Sequence, residues 1–134
     1  MIDYSAIENE IKDAIKDITA FKSIETGHIR ENIANSAMPA LDISCEGHSY
    51  NFHDTDAQYK IPTYIWLRVY GTDRKENADA FKVLMEQVCA KLEVLTGSSF
   101  DVVRNIEVAM NEMAASGGSG SVVRTGLIQM QAWA

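Results

Sequence analysis

Between Thr63 and Tyr70 the chain alternates strictly, and this alternation limits the folds open to it. Ile65, Leu67 and Val69 point to one side and Tyr64, Trp66, Arg68 and Tyr70 to the other, because successive residues of a strand face opposite ways. Gly71-Thr72 interrupts the strand. Asp73 with Glu76 then predicts a helix start, the aspartate accepting free N–H groups of the first turn. Ala78, Phe81, Leu84, Val88, Leu92 and Leu95 form one apolar stripe on that helix, and Gly97 is its expected C′ residue. An aliphatic strand face and an apolar helix stripe each require a covering layer, so residues 63–95 ask for a sheet with a helix packed on it.

Upstream, Ser5 and Glu8 predict a second helix start. Ile7, Ile11, Ile15 and Ile18 repeat every three or four residues, with Glu8, Glu10, Lys12, Lys16 and Asp17 on the remaining surface. Residues 21–36 are ambiguous. Ser23 to Gly27 reads as a short strand or an extended linker, and His28 to Ile33 as a helical turn. Residues 38–46 alternate as a strand, with Pro39 at an edge or start position. The polar stretch 47–56 reads as a long loop, joining that strand to residues 60–70 in an antiparallel hairpin.

Residues 101–113 alternate again, placing Val102, Arg104, Ile106, Val108 and Met110 on one face and Val103, Asn105, Glu107 and Ala109 on the other. In residues 121–133, Val122, Ile128 and Met130 oppose Leu127, Gln129, Gln131 and Trp133. The Gly/Ser-rich residues 114–121 connect these strands as a flexible tip. The sum is an α+β fold, a two-layer sandwich: a mostly antiparallel sheet of about four to five strands with two helices on one face. With 134 residues and 46% hydrophobic content, residues 1–134 are expected to form a single domain.

A formal net charge of −7 argues against a protein whose task is to grip nucleic-acid phosphates. Neither a signal peptide nor an apolar run of membrane-spanning length is evident, so a cytosolic, non-membrane protein is expected. Cys45 and Cys89 lie far apart in a chain that needs no staple, and they read as reduced thiols.

The sheet face opposite the helices is the informative feature. Tyr64, Trp66 and Tyr70 project from it, and Trp133 joins them. At about 150–250 Å² per large aromatic, such a patch is as large as a monomer usually exposes. One reading has residues 47–59, with Tyr50 and Phe52, folding back over these rings. The other is a subunit interface of Tyr64, Trp66, Arg68, Tyr70, Gln129, Gln131 and Trp133, since aromatics and arginine are enriched there.

Chemistry is not signalled. Cys45, His48, His53, Asp54 and Asp56 match no zinc spacing and read as solvated turn formers. Gly117-Gly-Ser-Gly120 joins strand to strand and opens no helix, so it lacks the oriented N–H groups of a phosphate loop. Asp42, Glu46 and Glu107 are scattered strand carboxylates, which are more often solvated than an acid–base pair. Met85, Met110, Met113 and Met130 sit at apolar phases and read as gap fillers in the core. No catalytic residue, metal ligand or cofactor is expected.

In order, the chain has an Ile-rich helix opening near Ile2-Asp3-Tyr4, a strand beginning at Met38-Pro39-Ala40-Leu41, a strand at 64–70 feeding the helix at 73–95, and a final long hairpin. This layout resembles the tail terminator and tail-completion (head–tail joining) proteins of long-tailed bacteriophages, over nearly the whole chain and without a diagnostic motif. The resemblance implies a non-enzymatic virion protein, assembled in the bacterial host cytoplasm. It implies a homo-oligomeric ring, usually a hexamer, that caps the tail tube and contacts the tail tube protein and the head–tail connector protein. A lumen lined by carboxylates would let DNA pass without sticking. Two other classes stay open: another phage neck or minor tail protein, and a small α+β ligand-binding or regulatory module using the sheet face as a pocket floor.

Overall fold

A computed structural model describes residues 2–53, 56–114 and 121–134, and the side chains of these except 51–53, 56, 57, 113 and 114. The elements run α1 (Tyr4–Ile15), β1 (Ser23–Thr26), β2 (Ala40–Cys45), β3 (Ser49–His53), β4 (Asp56–Gly71), α2 (Arg74–Glu93), β5 (Val102–Ala114) and β6 (Val122–Trp133). The sheet order is β1-β2-β4-β6-β5, with β3 also paired to β4. β1 pairs with β2 in parallel and every other pairing is antiparallel. The α+β expectation holds, with both helices on one side of a mixed sheet. The described sheet is six-stranded because β1 and β3 join the four strands read from the sequence.

β4 is the axis. Its residues Ile61, Ile65, Leu67 and Val69 enter the core with Ile7, Ile11 and Ile15 of α1 and Phe81, Leu84, Met85, Val88 and Leu92 of α2. Leu41 and Ile43 of β2 and Ile128, Met130 and Ala132 of β6 complete the same side. Gly126 faces this core without a side chain, since a Cβ there would lie 2.8 Å from Phe81 Cζ and against Met85 Cε.

Several local expectations are corrected. The N-cap of α1 is Asp3, whose carboxylate accepts from Ala6 N at 3.0 Å, and Ser5 lies inside the helix. Glu8 is buried, where it accepts the Cys45 N–H at 2.9 Å. Asp73 caps α2 as expected, accepting from Lys75 N and Glu76 N. Gly97 does not terminate that helix in a left-handed conformation. It leaves room for Glu10, which accepts from Ser98 N and Ser99 N at 3.1 Å. Burial raises the Glu10 pKa, but the hydrogen bonds from Ser98 and Ser99 together outweigh it and hold the group below its ordinary value.

Residues 49–53 are not a loop, because β3 folds against residues 56–60 and lengthens the β4 hairpin. The alternation expected through β5 breaks at a bulge between Arg104 and Glu107, where Asn105 has φ 56°. Val103 therefore shares the helix side with Val108 and Met110. Met110 is 60% exposed rather than a core filler, standing opposite Gly126 on the outer strand of the sheet. Asp54 and the Gly/Ser connection at 115–120 lie outside the described residues, as does the side chain of Met113. Among the described residues no helix is long and apolar enough to cross a membrane.

Both cysteines are free and half-buried. Burial pushes the Cys45 thiol up to about 11, with smaller upward contributions from Glu8 and Glu46. Burial raises Cys89 too, with Glu93 adding to it. At pH 8 the Cys45 thiolate population, and so its alkylation by iodoacetamide, is expected to be about 100-fold below that of an unperturbed thiol. Because the folded pKa is raised, this stability term is intact below pH 9.0 and declines as pH climbs toward 11. Alkylation of Cys45 at the free-thiol rate, followed by mass spectrometry of peptides, would contradict this placement.

Candidate functional site

The register of β4 fixes the face opposite the helices. Tyr64 lies between Ser44 and Gln129, Trp66 between Asp42 and Leu127, and Arg68 between Ala40 and Thr125. Tyr70 stands opposite Val123, Pro62 opposite Gln131, and Lys60 opposite Trp133. Tyr64, Trp66 and Tyr70 thus form one continuous row, with Gln129 beside it. Trp133 is separated from Leu127, the neighbour of Trp66, by six residues of β6, about 20 Å along the strand. It forms a second centre, where the Arg104 guanidinium sits 5.5 Å from its ring.

One end of this face is covered within the chain, by a segment that neither reading of it named. β1 and β2 are parallel, so the connection between them must travel back along the sheet, and residues 27–38 do so on the side away from the helices. Ile33 and Met38 pack with Ala40, Val123 and Tyr70. A single 3₁₀ turn, Asn35–Ala37, precedes β2. Of the rings expected to fold back from residues 47–59, Tyr50 is exposed and stacks edge-on with Tyr59 at 5.5 Å, and the side chain of Phe52 lies outside the described residues.

Under this strap is a buried ionic cluster. Asp42, with no exposed surface, accepts from Arg30 Nε at 2.6 Å and from an Arg68 guanidinium nitrogen at 3.1 Å. Arg68 also donates to the Arg30 carbonyl, and its guanidinium lies 4.7 Å from the Trp66 ring. Burial lowers the Arg68 pKa, Asp42 opposes that, and Arg30 adds to the lowering. Arg68 is 5% exposed, so it is a buried anchor rather than an open interface cation. The pairing of Arg30 with Asp42 escaped the sequence reading, because only the β1–β2 crossover brings the strap over the strand.

On this face Tyr64, Trp66, Tyr70, Leu127, Gln131 and Trp133 are half-buried and Gln129 is exposed. The indole N–H groups of Trp66 and Trp133 have no hydrogen-bond partner. A shallow groove of about 200 Å³ is lined by Pro62, Tyr64, Asn105, Glu107, Gln129 and Gln131, with Asn105 Nδ2 donating to Gln131 Oε1 at 2.6 Å. It is smaller than the usual small-molecule site of about 300–1,000 Å³.

The carboxylates do not converge. Asp42 is committed to two guanidiniums, Glu46 accepts from Ser44 Oγ at 2.8 Å, and Glu107 lies on β5. With β4 and β6 between them, β2 and β5 stand three strand spacings apart, about 14 Å. Among the described residues no three His, Cys, Asp or Glu side chains form a group able to hold a metal ion.

The chain resembles, in fold, a chain in the virion of a native gene transfer agent particle. The TM-score is 0.51 at 6% sequence identity, and the match covers 97% of this chain and 96% of that one. At that identity the likeness speaks for the fold. No family model matches the chain, and no curated protein does.

Proposed function

We propose that residues 1–134 act as one structural unit of a phage-like virion, a non-enzymatic tail terminator that assembles as a ring, caps the tail tube and joins it to the head connector. The observation that carries this reading is the near end-to-end likeness to a virion chain. The element order supports it, since the resemblance to tail-completion proteins rests on the same helix, strand, helix and hairpin sequence. Tyr64, Trp66, Gln129, Gln131 and Trp133 form the contact surface toward neighbouring subunits, with Arg68 holding Trp66 from beneath and Tyr70 bracing the strap. The charge of −7 suits a lumen through which DNA passes without binding. Assembly takes place in the host cytoplasm, and the ring is hexameric.

Light scattering across a concentration series, with and without purified tail tubes, tests the proposal. A ring-sized species and density at tube ends in electron micrographs are expected. Trp66→Ala is expected to weaken self-association by about 2 kcal/mol, roughly 30-fold in dissociation constant, with a smaller loss of monomer stability. A strict monomer that leaves tube ends bare would overturn the reading.

A further inference from the structure

The outer strand β5 ends the sheet on the side away from β1, apart from the aromatic face. Among the described residues it is an edge strand, Val102–Ala114, paired with β6 alone. In an antiparallel pair every second residue of an edge strand turns its N–H and C=O away from its partner, leaving a template for another strand. Edges are commonly guarded by lysine, proline or a bulge. Here the bulge protects only residues up to Glu107, and residues 105–114 contain no Lys, Arg or Pro. Val108 is 39% and Met110 60% exposed, both on the helix side of the sheet. Glu112 is already neutralised, held by Arg74 and by Arg124 at 2.6 Å. The opposite edge, β1, is only Ser23–Thr26, with Lys22 before it and Glu25 exposed within it.

We propose that the partner on this edge is a second copy of the chain, added antiparallel to β5 about a two-fold axis through Ala109. The sequence is self-complementary about that residue. Val108 then faces Met110 of the second copy, Glu107 faces Asn111 and Ile106 faces Glu112, so the two exposed apolar side chains of the edge meet each other and no like charges are opposed. Moving the axis to Met110 parts the two exposed apolar residues, setting Met110 against itself and Val108 against Glu112. The contact is isologous and closes on itself, joining two six-stranded sheets into one. It does not rest on the ring reading, which uses the other face of the sheet.

The test is oxidative cross-linking with the native cysteines left in place. Ala109→Cys puts its thiol beside its own symmetry mate and is expected to give a covalent dimer at least tenfold faster than the unsubstituted chain or Val94→Cys, an exposed position on the helix side. Met110→Lys, at a solvent-facing site that the fold tolerates, is expected to raise the dimer dissociation constant at least tenfold by light scattering, with an unchanged circular dichroism spectrum. Cross-linking of Ala109→Cys no faster than of Val94→Cys overturns the proposal, as does a mass unaffected by Met110→Lys. So does an edge shielded from exchange in a strict monomer, which would mean that another part of the chain covers it. A ring whose Ala109→Cys form does not cross-link keeps the ring reading and removes this one; a cross-linked dimer that forms no ring does the reverse.

Discussion

Asp42→Ala is expected to destabilise the protein by about 3–5 kcal/mol, because it leaves buried cationic charge without its counterion. The carboxylate is fully buried and engages Arg30 Nε at 2.6 Å and Arg68 at 3.1 Å. Arg30, whose side chain is 21% exposed, can swing into water once released. Arg68 cannot, since it lies beneath the strap beside Trp66 with its Nε already unpartnered. Arg68→Met is expected to cost less, because Asp42 keeps Arg30 and a flexible apolar side chain fills the space. Urea unfolding of both variants measures the difference. Hydrogen exchange should also rise across residues 28–38 in Asp42→Ala, since the strap loses its tie to β2. A loss below about 1 kcal/mol with unchanged strap protection would mean that the cluster is hydrated in solution.

Phe81→Ala is expected to cost about 3–5 kcal/mol, the range for removing a buried aromatic and leaving a cavity. Phe81 is 2% exposed and sits over Gly126, where the missing Cβ lets it approach β6 closely. Gly126→Ala alone is expected to cost about 1–3 kcal/mol by overpacking against Phe81 and Met85. In the Phe81→Ala background the same methyl enters the cavity, so the two losses should fall short of additive by about 0.5–3 kcal/mol. Strict additivity in a double-mutant cycle of chemical denaturation would show that ring and glycine do not share space.

Local pattern determined much of this molecule. The alternation at 63–70 fixed which residues of β4 face the core, since a pleated strand has only two sides, and the register confirms Ile65 and Leu67 inside with Trp66 outside. The spacing of Phe81, Leu84, Val88 and Leu92 placed α2, and Asp73 placed its first turn, because helix caps and stripes are short-range features. Ile128 and Met130 followed for the same reason.

What depended on contacts between distant segments was not legible. Glu8 looked like surface by helical phase, yet a strand 37 residues away supplies the N–H that it accepts. The Asn105 bulge reverses the face of half of β5, and a polar residue in an alternating run gives no warning of it. The strap over Arg68 follows from a parallel β1–β2 pairing, which forces the chain to cross the sheet. Periodicity in one sequence therefore set which faces of each element are apolar, because side-chain direction is a property of the local backbone. Only the tertiary structure decided which of those faces stay open, because covering one requires a segment from elsewhere in the chain and a place in the sheet order to bring it there.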